Sequence, residues 1–181
     1  MENLWRDLPA SPDGEDSFEI VNVIVEITRG SRNKFEYDKE WGTIKLDRVL
    51  YSSIVYPGDY GLIPHTHYDD GDPLDILVMV NVPTFAGCVI EARPVGVFHM
   101  LDKGEPDDKI LAVPNSDPLY GDIHKLADVP SHFLREVEHF FSVYKDLEGA
   151  RVEPRGWDDV EVAYQRIDYA VKLYYEKFGK I

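Results

Sequence analysis

The chain has a single cysteine, Cys88, among 181 residues, so an intramolecular disulfide is excluded. It has no apolar run of membrane-spanning length, and Met1 to Ser17 lacks the basic start and apolar stretch of a secretory leader. A reducing, cytoplasmic setting is expected. Positive charge is scarce: 19 Lys and Arg stand against 34 Asp and Glu, a net charge of −15. That balance opposes a nucleic-acid backbone or an anionic membrane as partner. An anionic ligand would need cations to invert the sign locally. There is no internal repeat and no low-complexity tract. What is present fits one globular domain over residues 1–181, 44% hydrophobic and long enough to bury a core.

The densest chemistry lies in Asp70-Gly71-Asp72-Pro73-Leu74-Asp75, which runs into the apolar stretch Ile76 to Val80. Three carboxylates within six residues repel one another, and a hard divalent cation among them relieves that repulsion. Gly71 allows a tight turn, and Pro73 fixes φ just before a strand. The bland reading of such a run is a solvated turn. A calcium hand does not fit, because Leu74, Asp75 and Asn81 occupy the places where that loop wants an acid or amide, a glycine and a glutamate.

Residues 1–17 are polar apart from Leu4, Trp5 and Leu8, and read as an arm pinned to the body. Phe18 to Thr28 is dense in β-branched residues and predicts a strand, with Glu26 on the side of Ile20 and Ile24. Lys34 to Tyr37 and Thr43 to Leu50 predict a hairpin. Lys34 and Glu36 share one face of it, and Arg48 falls where the alternation wants an apolar residue. Such charges make either a buried ion-pair network or a charged pocket at a barrel end. Gly87 to His99 and Lys109 to Val113 predict further strands, and the loop between them could supply ligands to the Asp70 turn. Apolar residues then recur at three-and-four spacing over 131–148 and 158–178, predicting two helices. Five or more short strands followed by two helices suggest a mainly β fold with α: a small closed barrel with helices packed outside.

Two rival readings use other residues. His65-Thr66-His67-Tyr68-Asp69 approximates a two-zinc hydrolase signature that would use His65, His67 and Asp69, although that fold needs further histidines downstream. A non-enzymatic nucleic-acid-binding module would use Tyr37, Tyr51, Tyr56 and Tyr60 as stacking platforms, but the acids at 69, 70, 72 and 75 sit where a basic groove is required.

Taken together, several motifs resemble the Mg²⁺-dependent, single-domain soluble inorganic pyrophosphatases. They are the Glu26 strand, Lys34-x-Glu36, Asp47-Arg48, Tyr56-Pro57-x-x-Tyr60-Gly61, Asp70-Gly71-Asp72-Pro73-Leu74-Asp75, Arg93-Pro94-Val95-Gly96-Val97, Asp102 with Asp107 and Lys109, and His139-Phe140-Phe141-x-x-Tyr144-Lys145-Asp146-Leu147-Glu148. The resemblance covers about residues 18–160. It implies a distorted five-stranded OB-type barrel that hydrolyses pyrophosphate to two orthophosphates with several Mg²⁺ ions, Mn²⁺ or Zn²⁺ being possible substitutes. By position it implies metal ligation by Asp70, Asp75, Asp102 and Asp107, and orientation or deprotonation of the attacking water by Asp72. It also implies phosphate contacts from Lys34, Arg48, Tyr60, Tyr144 and Lys145, with Tyr56 and Lys109 nearby, and acids at Glu26 and Glu36 that hold metal-bound waters. Tyr60 is taken as catalytic as well. Lys103 departs from relatives that carry an acid beside the Asp102 position, and tuning of the metal sites is expected from it. Homohexamers are common among prokaryotic relatives of this length, so a homohexamer is expected.

Overall fold

The structure is a computed structural model that describes residues 3–14 and 17–179. Residues 1, 2, 15 and 16 of the expected arm lie outside the described residues. In chain order the elements are α1 (Leu4–Asp7), β1 (Val21–Ile27), β2 (Asn33–Asp38), β3 (Thr43–Val49), β4 (Asp59–Leu62), β5 (Asp75–Val78), β6 (Val89–Asp102), β7 (Glu105–Pro106), β8 (Lys109–Pro114), α2 (Ser131–Val143), β9 (Val152–Asp159) and α3 (Val160–Phe178).

β1, β4, β5, β8 and β6 pair in that order, and β6 pairs back with β1. The result is the closed ring of five strands expected of a small OB-type fold. Every residue of β1 is buried, because both faces of the ring strands are covered. Ile76, Val78, Ile110 and Ala112 pack with Ala163, Ile167, Ala170 and Val171 of α3. Leu77, Leu111 and Val113, of the opposite parity, pack with Val137, Phe140 and Phe141 of α2. The alternation of strand side chains thus assigns one face to each C-terminal helix.

Departures from the sequence reading have local causes. The first strand starts at Val21 rather than Phe18. The helix expected over 131–148 stops at Val143, and a short 3₁₀ turn follows at Asp146–Glu148, ended by Gly149 with φ 75°. Lys145, between them, sits at φ −103° and ψ 0°, and its side chain is anchored on the ring. β9 had no signal at all. It contains Pro154 and Gly156, residues that interrupt a regular strand, yet it sits outside the ring on β6, and a register shift near His99 and Met100 absorbs them. β2 and β3 form the expected hairpin as a separate two-stranded sheet.

Candidate active site

The strand ends place the acids. Asp75 opens β5 and Lys109 opens β8, and the two residues are partners in a parallel ladder. Asp102 ends β6 and pairs with Glu105 across a two-residue turn. In that turn Lys103 and Gly104 both have positive φ, 53° and 89°. Such a turn matches the twist of the strands it joins, so Lys103 first serves the hairpin. On β1 the register with β4 slips between Val25 and Ile27. Glu26 is therefore the extra residue of a bulge, a device that re-aims a side chain, and it accepts a hydrogen bond from the backbone N–H of Tyr37 at 2.6 Å. Next to Tyr60, Gly61 crosses β1 so closely that a Cβ would lie 2.0 Å from the carbonyl oxygen of Ile24. Only glycine permits that approach.

The Asp70 turn is closed from both sides. Gly71, at φ 89°, donates its N–H to the Tyr68 carbonyl at 3.0 Å, and Tyr68 donates to the Asp72 carbonyl at 2.7 Å. Asp70 in turn accepts from the Asp72 N–H at 3.0 Å. The turn therefore presents its three carboxylates in a set order.

All these segments open on one cavity of about 630 Å³. Glu26, Lys34, Glu36, Arg48, Tyr60, Asp70, Asp72, Asp75, Asp102, Asp107, Lys109, Tyr144 and Lys145 line it. Tyr56 does not. It is buried in the wall behind, with its ring tilted against Tyr60 and Phe140 at centroid distances of 5.4 and 4.6 Å. Lys39 and Glu40 of the β2–β3 turn also line the cavity, and pattern reading gave no sign of them because turn residues carry no periodicity.

Charge is paired across the mouth. The Lys109 ammonium, 3% exposed, donates to both Asp75 and Asp107. Lys145 donates to Asp102 at 2.6 Å, and Lys39 to Asp72 at 2.7 Å. Arg48 sets Nε and Nη2 against the two oxygens of Glu148 at 3.1 and 3.0 Å. Its Nη1 reaches Asp47 at 2.5 Å. Lys34 donates to Glu36 and, at 3.2 Å, to Asp47. Glu148 could have been anticipated from the need of a half-buried guanidinium for a fork-shaped acceptor.

The electrostatics mark an excess of acid. Burial, with the charge of Asp75 beside it, pushes Glu26 up to about 8. Asp70 faces solvent, but the walls around it withdraw water, and with the charges of Asp75 and Asp107 they push its carboxyl up to about 6. For Lys109 burial works against the charge, and Asp75 and Asp107 outweigh it, holding the ammonium well above its ordinary value.

Among the described residues, no three His, Cys, Asp or Glu side chains converge at ion-holding distances, and ammonium groups stand between the acids. Two observations nevertheless suit a hard divalent cation. Every acidic donor here is a carboxylate oxygen, and Asp102 Oδ1 is buried without a hydrogen-bond partner. A buried orphan oxygen beside raised carboxyl groups is a site short of positive charge.

The histidines of the zinc reading lie elsewhere. The His65 ring nitrogens meet the Tyr175 hydroxyl at 3.0 Å and the Arg6 carbonyl at 2.6 Å, and the ring stacks on Tyr174. His67 faces Lys177, and Asp69 accepts from the Tyr169 hydroxyl at 2.8 Å. None of the three lines the cavity. The stacking platform fails as well, because Tyr37, Tyr56 and Tyr60 are buried.

A five-stranded ring whose mouth gathers carboxylates for hard cations and flanks them with lysine, arginine and tyrosine defines a class: enzymes that act on phosphate anions through bound metal. The inorganic pyrophosphatase family profile matches residues 23–175. An inorganic pyrophosphatase of Haloferax volcanii is 50% identical over 180 residues, 99% of this chain and 100% of that one. The crystal structure of the inorganic pyrophosphatase of Thermus thermophilus superposes with a TM-score of 0.89 at 41% identity, covering 96% of this chain and 99% of that one. A type I inorganic pyrophosphatase from Toxoplasma gondii, 24% identical, shares the fold with a TM-score of 0.89 over 96% of this chain and 88% of its own. The chain belongs to the inorganic pyrophosphatase family.

Proposed function

We propose that the protein hydrolyses inorganic pyrophosphate to two orthophosphates with Mg²⁺, several ions of which are held by Asp70, Asp75, Asp102 and Asp107. The observation that carries this reading is the convergence of acids from residues 26, 70–75 and 102–107 with bases from 34, 48, 109 and 145 on one cavity. Family membership supports the substrate. When bound, Mg²⁺ supplies charge neutralisation and activation of water, and it suits carboxylate oxygens.

The chain's own groups then have separate tasks. Lys34, Arg48 and Lys145 reach into the cavity as donors that hold the substrate's phosphates, and Tyr60 and Tyr144 stand beside them. Burial pushes both phenols above their ordinary value, so they remain donors at neutral pH. Asp72, whose side chain is 70% exposed at the rim, takes the proton of the attacking water as the new P–O bond forms. The P–O bond to the bridging oxygen breaks, and the cationic side chains stabilise the charge that builds on the leaving phosphate. Glu26 and Glu36 would hold waters beside bound Mg²⁺. Tyr56 supports Tyr60 from behind rather than touching substrate.

Mn²⁺ or Zn²⁺ substitutes in the same oxygen set by charge and ligand type alone. We further place the protein in the cytoplasm as one domain assembled into a homohexamer. Exposed apolar side chains such as Val82, Phe85 and Tyr51 give that assembly surfaces to bury. Among the described residues no helix is long and apolar enough to cross a membrane. The test is phosphate release from pyrophosphate with Mg²⁺, before and after chelation. Release that stops on chelation and returns with Mg²⁺ supports the reading. No release, or release indifferent to metal removal, overturns it.

A further inference from the structure

Asp107 and Asp108 are adjacent and both buried, yet their carboxylates do different things. Asp107 lines the cavity, whereas Asp108 does not. Asp108 Oδ1 accepts from His99 Nδ1 at 2.8 Å, and Oδ2 accepts from the Tyr68 hydroxyl at 2.7 Å. Arg166 of α3 places Nε 3.2 Å from the same Oδ2. Asp158 of β9 lies 3.2 Å from the far nitrogen of the His99 ring.

Two of these partners, Tyr68 and His99, belong to segments that carry an acid of the site. The backbone of Tyr68 closes the Asp70 turn by hydrogen bonds to Gly71 and Asp72. His99 stands three residues before Asp102 on β6, and Asp108 follows Asp107 directly. One buried residue, 5% exposed, therefore clasps together the three pieces of chain that bear Asp70, Asp102 and Asp107.

We propose that Asp108 is a positioning residue for the metal site: through Tyr68 and His99 it sets the spacing between the Asp70–Asp75 turn and the Asp102–Asp107 loop. The inference rests on the reading that those acids hold Mg²⁺. On the cavity side the Lys109 ammonium bridges Asp75 to Asp107, and on the α3 side Tyr169 and Arg166 meet Asp69 and Asp108, while Asp108 joins the turn and the loop directly. Partners behind metal ligands govern affinity because they hold the ligands in place, and losing one typically weakens binding 10- to 100-fold. The clasp also satisfies a carboxylate that would otherwise be stranded. Burial opposes its ionisation, but the bonds from His99 and Tyr68 hold Asp108 below the usual carboxylate range.

The test is calorimetric titration of the substrate-free protein with Mg²⁺ alone, with a thermal melt of each variant alongside. Asp108→Asn keeps the shape and removes the charge, and Tyr68→Phe removes one hydroxyl. Val171→Ala, in the core under α3, is the stability control. Asp108→Asn is expected to weaken Mg²⁺ binding by about 10-fold, Tyr68→Phe by less, and Val171→Ala to lower the melting temperature without weakening Mg²⁺. If Asp108→Asn does not fold, Tyr68→Phe decides. Wild-type affinity in both clasp variants, or equal weakening in Val171→Ala, overturns the proposal and leaves the magnesium reading standing. A wild-type protein that takes up no Mg²⁺ overturns both.

Discussion

Asp75 and Lys109 open neighbouring parallel strands side by side, and the lysine's ammonium bridges Asp75 to Asp107. A single buried cation thus separates two acids at the floor of the site. Removing it leaves two neighbouring carboxylates, with Lys145 still acting on Asp107 from farther away. Lys109→Met is expected to destabilise the metal-free protein by about 3–5 kcal/mol, the usual cost of breaking a buried pair. Added Mg²⁺ should recover part of that loss. Urea unfolding with and without Mg²⁺ measures both effects. An unchanged midpoint in the metal-free variant would mean that the pair contributes no net stability.

Asp72 differs from its neighbours because its side chain is mostly exposed and its ion-pair partner among the described residues is Lys39, on the hairpin opposite. It is free to meet water in a way that Asp75 and Asp107 are not. Asp72→Asn should lower kcat on the order of 10²-fold or more, by loss of a positioned general base. Stability should change little. Near-normal phosphate release would move the proton acceptor elsewhere.

Arg48 presents a planar fork to Glu148. Arg48→Lys keeps the charge and loses the fork. The expected result is a KM for pyrophosphate raised by about tenfold, the equivalent of one charge-assisted hydrogen bond. Steady-state kinetics at saturating Mg²⁺ reads it, and unchanged constants would reduce Arg48 to a structural ion pair.

Glu26 gives the protein a pH dependence of unusual sign. Its carboxyl titrates near 4.5 in the unfolded chain and at about 8 in the folded one, so the folded state binds the proton more tightly. Stability from this group is present in full below the unfolded value and is lost as pH rises towards 8. The metal-free protein should therefore melt at lower temperature at pH 8 than at pH 5.5. Glu26→Gln should flatten that slope and raise the melting temperature at pH 8. Parallel slopes in the two proteins would show that Glu26 is already ionised in the fold.

Much of this was legible from local pattern. The β-branched run before Thr28, the hairpin around Asp38 to Gly42 and the periodic helix ending at Phe178 each announce themselves within a short window. The acids of the Asp70 turn also stood out, since carboxylates so close in sequence demand an explanation. β9 was hidden because its pairing with β6 supplies what Pro154 and Gly156 deny it locally. Lys39 and Asp108 were hidden for a related reason, and so was the pairing of Glu148 with Arg48. A charged residue in a turn or loop has no periodicity, and its partner lies 33, 100 or 40 positions away along the chain.

The order of residues alone determined which donors this protein owns: hard oxygen acids in one tight turn, more in a loop after the longest strand, and bases scattered elsewhere. Folding decided the pairings among them. Ring closure through β1 and β6 brought the strand ends to one mouth, a bulge turned Glu26, and a broken helix let Lys145 reach Asp102. Short-range pattern is set by backbone geometry and side-chain alternation, whereas register and closure are settled by burial across the whole chain, so only the assembled ring could say which acid meets which base.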